Sequence, residues 1–431
     1  MKRVLMLLAL VLAPSLPARA APPEMPVLTL DEALRIARTN HPQLQAARAQ
    51  TEASAARVGM ARAPLLPQLS GNASYTRSSG KASSATSTGL SVPLSSGNSY
   101  SLGVNASQLL YDFGLGTGKY KAAQATLGAQ EQTERNLAVH VAFNLRSAYY
   151  TAAAARALLK VAEETLHNRE LHLRQIQAFV EVGKRPEIDL VQSRTDRANA
   201  QVQLIQAQVA YDTDRALLNQ AMGVERDIRY DVVAPPAQAL QGEDGDTVSL
   251  LEVALSARPD VMALARQIDA QELSTRSIRG GYAPSLSASA GVSENANQLD
   301  SWQLGWNARL LLSWQLFGGG ITDGQVRESR ASTAALRAQY ELLRQQVRVD
   351  VEQARLAVRA AKAAIAAAHE AAQNARVRLT LAEGRYQAGV GNVIELSDSQ
   401  VALTSALAQE VQAIFTLDLA RARLLRAIGQ L

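Results

Sequence analysis

The 431-residue chain states one long unit twice. Residues from about 30 to 223 recur, element by element, from about 250 to 429. Pro42 and Pro67 are 25 residues apart, as are Pro259 and Pro284, at an offset of 217. Gly183 and Gly223 are 40 apart, as are Gly389 and Gly429, at an offset of 206. In each copy, short alternating segments precede a very long helical pattern. Such helical stretches are too long to pack inside an ordinary globular domain, so the duplicated unit excludes most compact folds.

Composition sharpens this. Apolar residues make up 47% of the chain but aromatics only 4%. Ala dominates the apolar set, so helices must approach closely. Lys2 and Arg3, the apolar run Val4 to Leu12, and the small-x-small site Ala18-Arg19-Ala20 predict an export signal over residues 1–20. A membrane anchor is the alternative, but the run is too short to span. Removing the signal takes away three positive charges and lowers the net charge from +5 to +2. A nearly neutral mature chain gives no electrostatic case for nucleic acid. There is no cysteine. Disulfides, thiolate metal sites, cysteine nucleophiles and an acylated N-terminal cysteine are thereby excluded, and a lipoprotein is not expected. After the signal no run of 18 apolar residues exists, so any membrane crossing must be a barrel.

Leu28 to about Arg62 reads as helical with a break at His41-Pro42; Val248 to about Arg279 repeats it with Arg258-Pro259. After Pro67 and Pro284 the period changes to 2. From Gln303 to Leu316, Leu304, Trp306, Ala308, Leu310, Leu312, Trp314 and Leu316 share one face. Gln303, Gly305, Asn307, Arg309, Ser313 and Gln315 share the other, with Leu311 the exception. This is the pattern of a barrel strand, apolar outside and polar inside, and Trp302, Trp306 and Trp314 suit an interfacial belt. Leu286, Ala288, Ala290 and Val292 alternate with serines, and Leu69, Gly71, Ala73 and Tyr75 do so more weakly. Tyr100, Leu102, Val104 and Ala106 make another strand. Its phase slips before Leu109, Tyr111 and Phe113, which predicts a bulge near Ser107. Four strands cannot close a barrel, and an open edge is not tolerated in lipid. A barrel shared by three chains, with twelve strands, satisfies both conditions. A small soluble sheet is the alternative, because the serine-rich strands have weak outer faces.

From about Gly118 to Val182 the chain is helical without Pro. Leu159, Leu166, Leu173 and Val180 repeat every seven residues, as do Ile365, Ala372, Leu379 and Tyr386 in the second copy. That is the left-handed coiled-coil period. Returning helices carry Leu190, Leu204 and Leu218, then Leu396, Leu403, Leu417 and Leu424. About 65 residues make a rod of roughly 100 Å. The predicted organisation is therefore a signal (1–20), N-terminal helices (21–67), a membrane β-hairpin (68–113), a helical hairpin (114–223) and a polar connector along the outside (224–247). The unit then repeats as helices (248–283), β-hairpin (284–317) and helical hairpin (318–431).

The two hairpin tips carry a resemblance. Gly183-Lys184-Arg185-Pro186-Glu187-Ile188-Asp189 and Gly389-Val390-Gly391-Asn392-Val393-Ile394-Glu395 both read Gly, five residues, acid. With the duplication and the strand pattern, nearly the whole mature chain resembles the TolC-type outer-membrane channels, or outer membrane factors. The resemblance implies a mainly helical homotrimer whose twelve-stranded barrel in outer-membrane lipid continues into a periplasmic coiled-coil tunnel. It implies a passive duct joined by a periplasmic adaptor to an inner-membrane pump, for small-molecule efflux or type I protein secretion. It places the pore gate at Glu395, Asp398 and Tyr386, and tip or adaptor docking at Gly183, Asp189, Gly389, Gly391 and Asn392. Gly391 departs from the pattern: the best-known member has there an arginine that ties the tip closed, so either a different closing contact or a weaker closed state is expected.

Plainer roles compete with these. Asn392 as N-cap and Glu395 at N3 fit a capping box. Asp189 can stabilise its own helix start. Gly183 and Gly389 suit tight turns, and Tyr386 can be a seam residue. The five histidines form no metal-ligand pattern, Gly318-Gly319-Gly320 lacks the Lys of a phosphate loop, and no catalytic grouping appears, so neither enzyme nor cofactor is expected. A periplasmic adaptor or scaffold without a pore is the second function class. Adaptors carry one hairpin flanked by small β domains, whereas this chain has two hairpins and four amphipathic strands.

Overall fold

The computed structural model describes residues 26–78, 97–225, 230–233, 239–240 and 243–431. The export segment, the Ser-rich loop between the first two long strands and Ala234-Pro235-Pro236 lie outside the described residues. The first copy runs β1 (Val27–Leu28), α1 (Leu30–Asn40), α2 (Pro42–Arg62), β2 (Gln68–Ser78), β3 (Gly97–Tyr111), α3 (Leu115–Glu181) and α4 (Glu187–Met222). The second runs β4 (Asp231–Val232), α5 (Thr247–Ala257), α6 (Pro259–Arg279), β5 (Ser285–Ala296), β6 (Gln303–Ser313), α7 (Ile321–Gln387) and α8 (Val393–Ala427). Both α3 and α7 have 67 residues, about 100 Å of helix.

Local chemistry sets the breaks. His41 and Arg258 are extended, at ψ 120° and 124°, because a residue before proline is driven out of the helical region. Pro42 and Pro259 then open the next helix, where their missing N–H costs nothing. Each kink is met by the end of a returning helix. Gly223 and Gly429 are left-handed, at φ +71° and +73°. A Cβ on Gly223 would stand 2.8 Å from His41 Cα, and one on Gly429 would stand 2.9 Å from the Arg258 nitrogen. The repeated spacing from tip glycine to final glycine thus records a turn and a close approach together.

The four long strands form one antiparallel sheet in the order β2-β3-β5-β6. Asn72, Gly103, Ser293 and Gly305 lie in one cross-strand row, and Ser70, Asn105, Gly291 and Asn307 in the next. This polar face is crowded: a Cβ on Gly291 would fall 2.9 Å from Asn307 Oδ1 and 3.0 Å from Asn105 Oδ1. The opposite face projects Leu69, Leu102, Val104, Val292, Leu304, Trp306 and Leu310, all exposed.

Three strand expectations change. The register shift in β3 lies between Leu109 and Tyr111, beyond Ser107, and pairing with β5 resumes where Tyr111 meets Leu286. The last strand stops at Ser313. Trp314 lies beyond it and donates its indole N–H to the Tyr282 carbonyl at 3.0 Å. Trp302 precedes the strand and bonds the Leu299 carbonyl. These two tryptophans therefore bracket the strand at opposite ends, with Trp306 between them, and do not share a single belt.

Among the helices, α3 packs on α2, α4, α6 and α8, while α7 packs on α5, α6 and α8. Along the rod α4 packs on α3, α3 on α8 and α8 on α7, and at the tips all four helices come together, with α4 meeting both α7 and α8. Buried alanines fill the seams: Ala152 to Ala155 in α3, and Ala354, Ala361, Ala372 and Ala375 in α7. The connector is more than an outside strap. Glu243, with its side chain 5% exposed, receives two bonds from Arg421 at 2.8 and 3.0 Å and pairs with Lys362 at 2.7 Å, joining the connector to α7 and α8. Asp231 in β4 likewise holds Arg156 of α3 and Tyr211 of α4.

Hydrogen bonds from Arg421 lower the Glu243 carboxyl from the ordinary 4.5 to about 2, against the opposing effect of burial. A depressed carboxylate adds stability above its unfolded value and loses it as pH falls through its folded value. Glu243→Gln is expected to cost roughly 2–3 kcal/mol at pH 7. Thermal unfolding followed by circular dichroism is the measurement, and the gap from wild type narrows between about pH 5 and pH 2.

Candidate functional site at the hairpin tips

Both tips are the same backbone device. In the first, the Gly183 N–H bonds the Val180 carbonyl at 2.9 Å and the Lys184 N–H reaches back to Phe179 at 2.8 Å. In the second, Gly389 bonds Tyr386 and Val390 bonds Arg385, each at 3.1 Å. These are Schellman endings, which need a left-handed residue, and Gly183 and Gly389 supply it at φ +75° and +81°.

Gly391 also donates to Arg385, at 2.9 Å. A Cβ there would come within 3.0 Å of the Tyr386 nitrogen and 3.1 Å of Arg385 Cβ. The second turn is folded tightly onto its own helix end, which leaves little room for a larger residue.

Asn392 caps α8, its Oδ1 accepting from the Glu395 N–H at 2.7 Å. The expected capping box is half formed. The Glu395 carboxylate turns instead to Arg385 Nε at 3.2 Å, and its side chain stays 40% exposed. Asp398, the next acid along α8, is exposed.

Asp189 stands in the first turn of α4, where its charge suits the helix dipole. It is nevertheless buried, 6% exposed, and accepts the Tyr386 hydroxyl at 3.0 Å. This bond joins the two hairpins. Tyr386 is 2% exposed and packs with Ile176, Ala382 and Leu396. Burial, then the bond to Asp189, pushes its phenol up to about 12, so it remains a donor at any ordinary pH. The edge of His172 meets the same ring at 5.9 Å.

The guanidinium of Arg185 lies over the Tyr386 ring, 4.0 Å from its centre, and donates to the Tyr386 carbonyl. It stacks on the ring and caps the end of α7 together, a geometry that suits Arg and not Lys. Sequence reading did not single out Arg185 or Arg385. The signal was available: Arg185 and Gly391 occupy equivalent positions in the two copies, at the 206 offset. The guanidinium absent from the second tip is carried by the first.

The structure thus brings together Asp189, Tyr386 and Arg185 in one contact, and Asn392, Glu395 and Arg385 in another. Asp398 stands apart. Among the described residues there is no metal-competent cluster of His, Cys, Asp or Glu, and no helix long and apolar enough to cross a membrane.

A chain of two antiparallel β-hairpins on two long coiled-coil hairpins is the architecture of a membrane-anchored channel subunit. The profile of the outer membrane efflux protein family matches residues 33–224 and 250–430, one segment per copy, and the chain belongs to that family. It is similar to the probable efflux pump outer membrane protein TtgC of Pseudomonas putida, with 26% identity over 88% of this chain and 78% of the relative. It is similar to the pyoverdine export outer membrane protein OpmQ of Pseudomonas aeruginosa, with 25% identity over 89% and 81%. The solved CmeC outer membrane channel of Campylobacter jejuni shares the fold, with a TM-score of 0.81 at 19% identity over 93% of this chain and 85% of that one.

Tyr386→Phe removes the only side-chain donor described for the buried Asp189 carboxylate. Amide exchange at residues 183–190 and 386–395 is expected to speed up roughly tenfold, read by mass spectrometry, with the distant sheet unchanged.

Proposed function

We propose that the chain is one third of an outer-membrane exit duct that passes cargo from an inner-membrane pump, through a periplasmic adaptor, to the outside. The observation that carries this is the sheet: four strands, an apolar face, and edges β2 and β6 without partners among the described residues. An unpaired edge is not tolerated in lipid. Pairing β6 of one subunit with β2 of the next, three times, makes twelve strands and removes every edge. The helical layer supports the same closure, because above the tips α4 packs on α3 and α7 on α8, and each keeps an uncovered apolar face. Exposed Ile188, Val191, Val202, Ile205 and Val209 form a heptad-spaced stripe on α4, and Leu342, Val349, Leu356 and Val377 form another on α7. Each is the seam a neighbouring subunit needs.

At the tips, exposed Asp398 and half-exposed Glu395 line the narrow end, three copies of each. Converging carboxylates attract cations and repel anions. Tyr386, bonded to Asp189, holds the second hairpin in the closed position. The turns at Gly183, Gly389, Gly391 and Asn392 form the end presented to the adaptor, and buried Asp189 supports it from beneath. The name of OpmQ, a pyoverdine export protein, favours a small molecule as cargo. A pore-free adaptor is disfavoured, since both copies carry the β-hairpin and the helical hairpin.

The duct is testable in planar bilayers. Replacing Glu395 and Asp398 together by Ala is expected to raise single-channel conductance and to reduce cation preference. Unchanged conductance and selectivity would remove both residues from the gate.

A further inference from the structure

Two turns above the tip, hairpin 1 carries a charge pair inside the helical layer. Arg169 of α3 and Asp196 of α4 meet at 3.2 Å, with side chains only 9% and 14% exposed. Two residues of α8 reach the same pair across the hairpin boundary. The Ser397 hydroxyl donates to Asp196 Oδ2 at 2.8 Å, and Gln400 accepts from Arg169. Gln192 donates to the other Asp196 oxygen at 2.9 Å. One turn higher, the hydroxyls of Thr165 on α3 and Thr404 on α8 stand 3.3 Å apart.

This layer is not a general feature of the coiled coil. The positions equivalent to Arg169 and Asp196 in the second copy are Ala375 and Ala402. Burying two charges in a seam is costly, and its best-attested use is to fix register or to make a switch. The arrangement here is asymmetric in a useful way. If α8 moves off, Arg169 and Asp196 keep each other and no charge is left unpaired. What the pair loses is the bonds from Ser397 and Gln400, and the Thr165–Thr404 contact breaks with them. A cleft of about 290 Å³, lined in part by Thr165, Arg169, His172, Glu383, Gln400 and Thr404, lies beside them, so water can take over those bonds.

We propose that the Arg169–Asp196 pair is a second latch, about 10 Å above Asp189 along the rod, which holds α8 against hairpin 1 and releases it when the tip opens. Arg169 and Asp196 are positioning residues: they touch α8 and not the cargo. The proposal rests on the duct reading for its meaning, but the contact itself can be tested without current.

The full-length protein has no cysteine, so Thr165→Cys with Thr404→Cys places a single thiol pair across the boundary. Its rate of oxidative cross-linking reports how firmly α8 is held. Adding Ser397→Ala and Gln400→Ala removes only the bonds that cross, leaves the charges paired, and is expected to slow cross-linking roughly tenfold. In bilayers the same double variant, without the thiols, conducts more than wild type, and oxidising the thiol pair in that background returns conductance to the wild-type level. Cross-linking at the wild-type rate in the double variant overturns the latch. Wild-type protein that passes no current overturns the duct, while the cross-linking rate still decides the latch.

Discussion

The backbone amides and carbonyls at the edge of a lipid-facing sheet have no partner except another strand. That constraint organises the rest of this chain. The β2-β3-β5-β6 sheet is paired inside and, among the described residues, unpaired at both margins, and one of its faces is apolar. A soluble sheet of this size would cover one face with a helix; here the helices lead away from the sheet instead. The same incompleteness runs down the rod, where α4 and α7 present apolar stripes. One requirement, that every edge be met, therefore accounts for the sheet and for the outer faces of the helices.

Much of the architecture was legible because it rests on local rules repeated twice. Proline at 42 and 259 and glycine at 183, 223, 389 and 429 act through backbone geometry that no distant contact overrides. The seven-residue period likewise declares a coiled coil on its own. What escaped were contacts between elements far apart in sequence. Arg185 reaches Tyr386, Asp189 reaches the same residue, and Glu243 reaches Arg421. A charged residue on a helix face reads the same whether solvent or another hairpin stands opposite. Strand ends were blurred for a related reason: alternation continues past Ser313 into Trp314 and Leu316, although their backbone has already left the ladder.

The tip shows how duplication and divergence combine. Two copies supply two identical turns, and the differences between them make a joint. Arg185 has Gly391 as its counterpart; Asp189 is buried under Tyr386, while its counterpart Glu395 stays half open. Higher up, Arg169 and Asp196 have alanine counterparts. One hairpin has kept the polar groups that grip, and the other the small residues that allow approach.

The equal length of α3 and α7 has a consequence for how such a molecule can change. Each is 67 residues, and their ends meet at Arg185 and Tyr386. A heptad inserted into α3 alone would carry its turn roughly 10 Å past its partner and separate every pair below the insertion. Extending the rod requires matched additions in four helices at once. The reach of the molecule is therefore quantised and shared, and a homologue of different span must have altered all four in step.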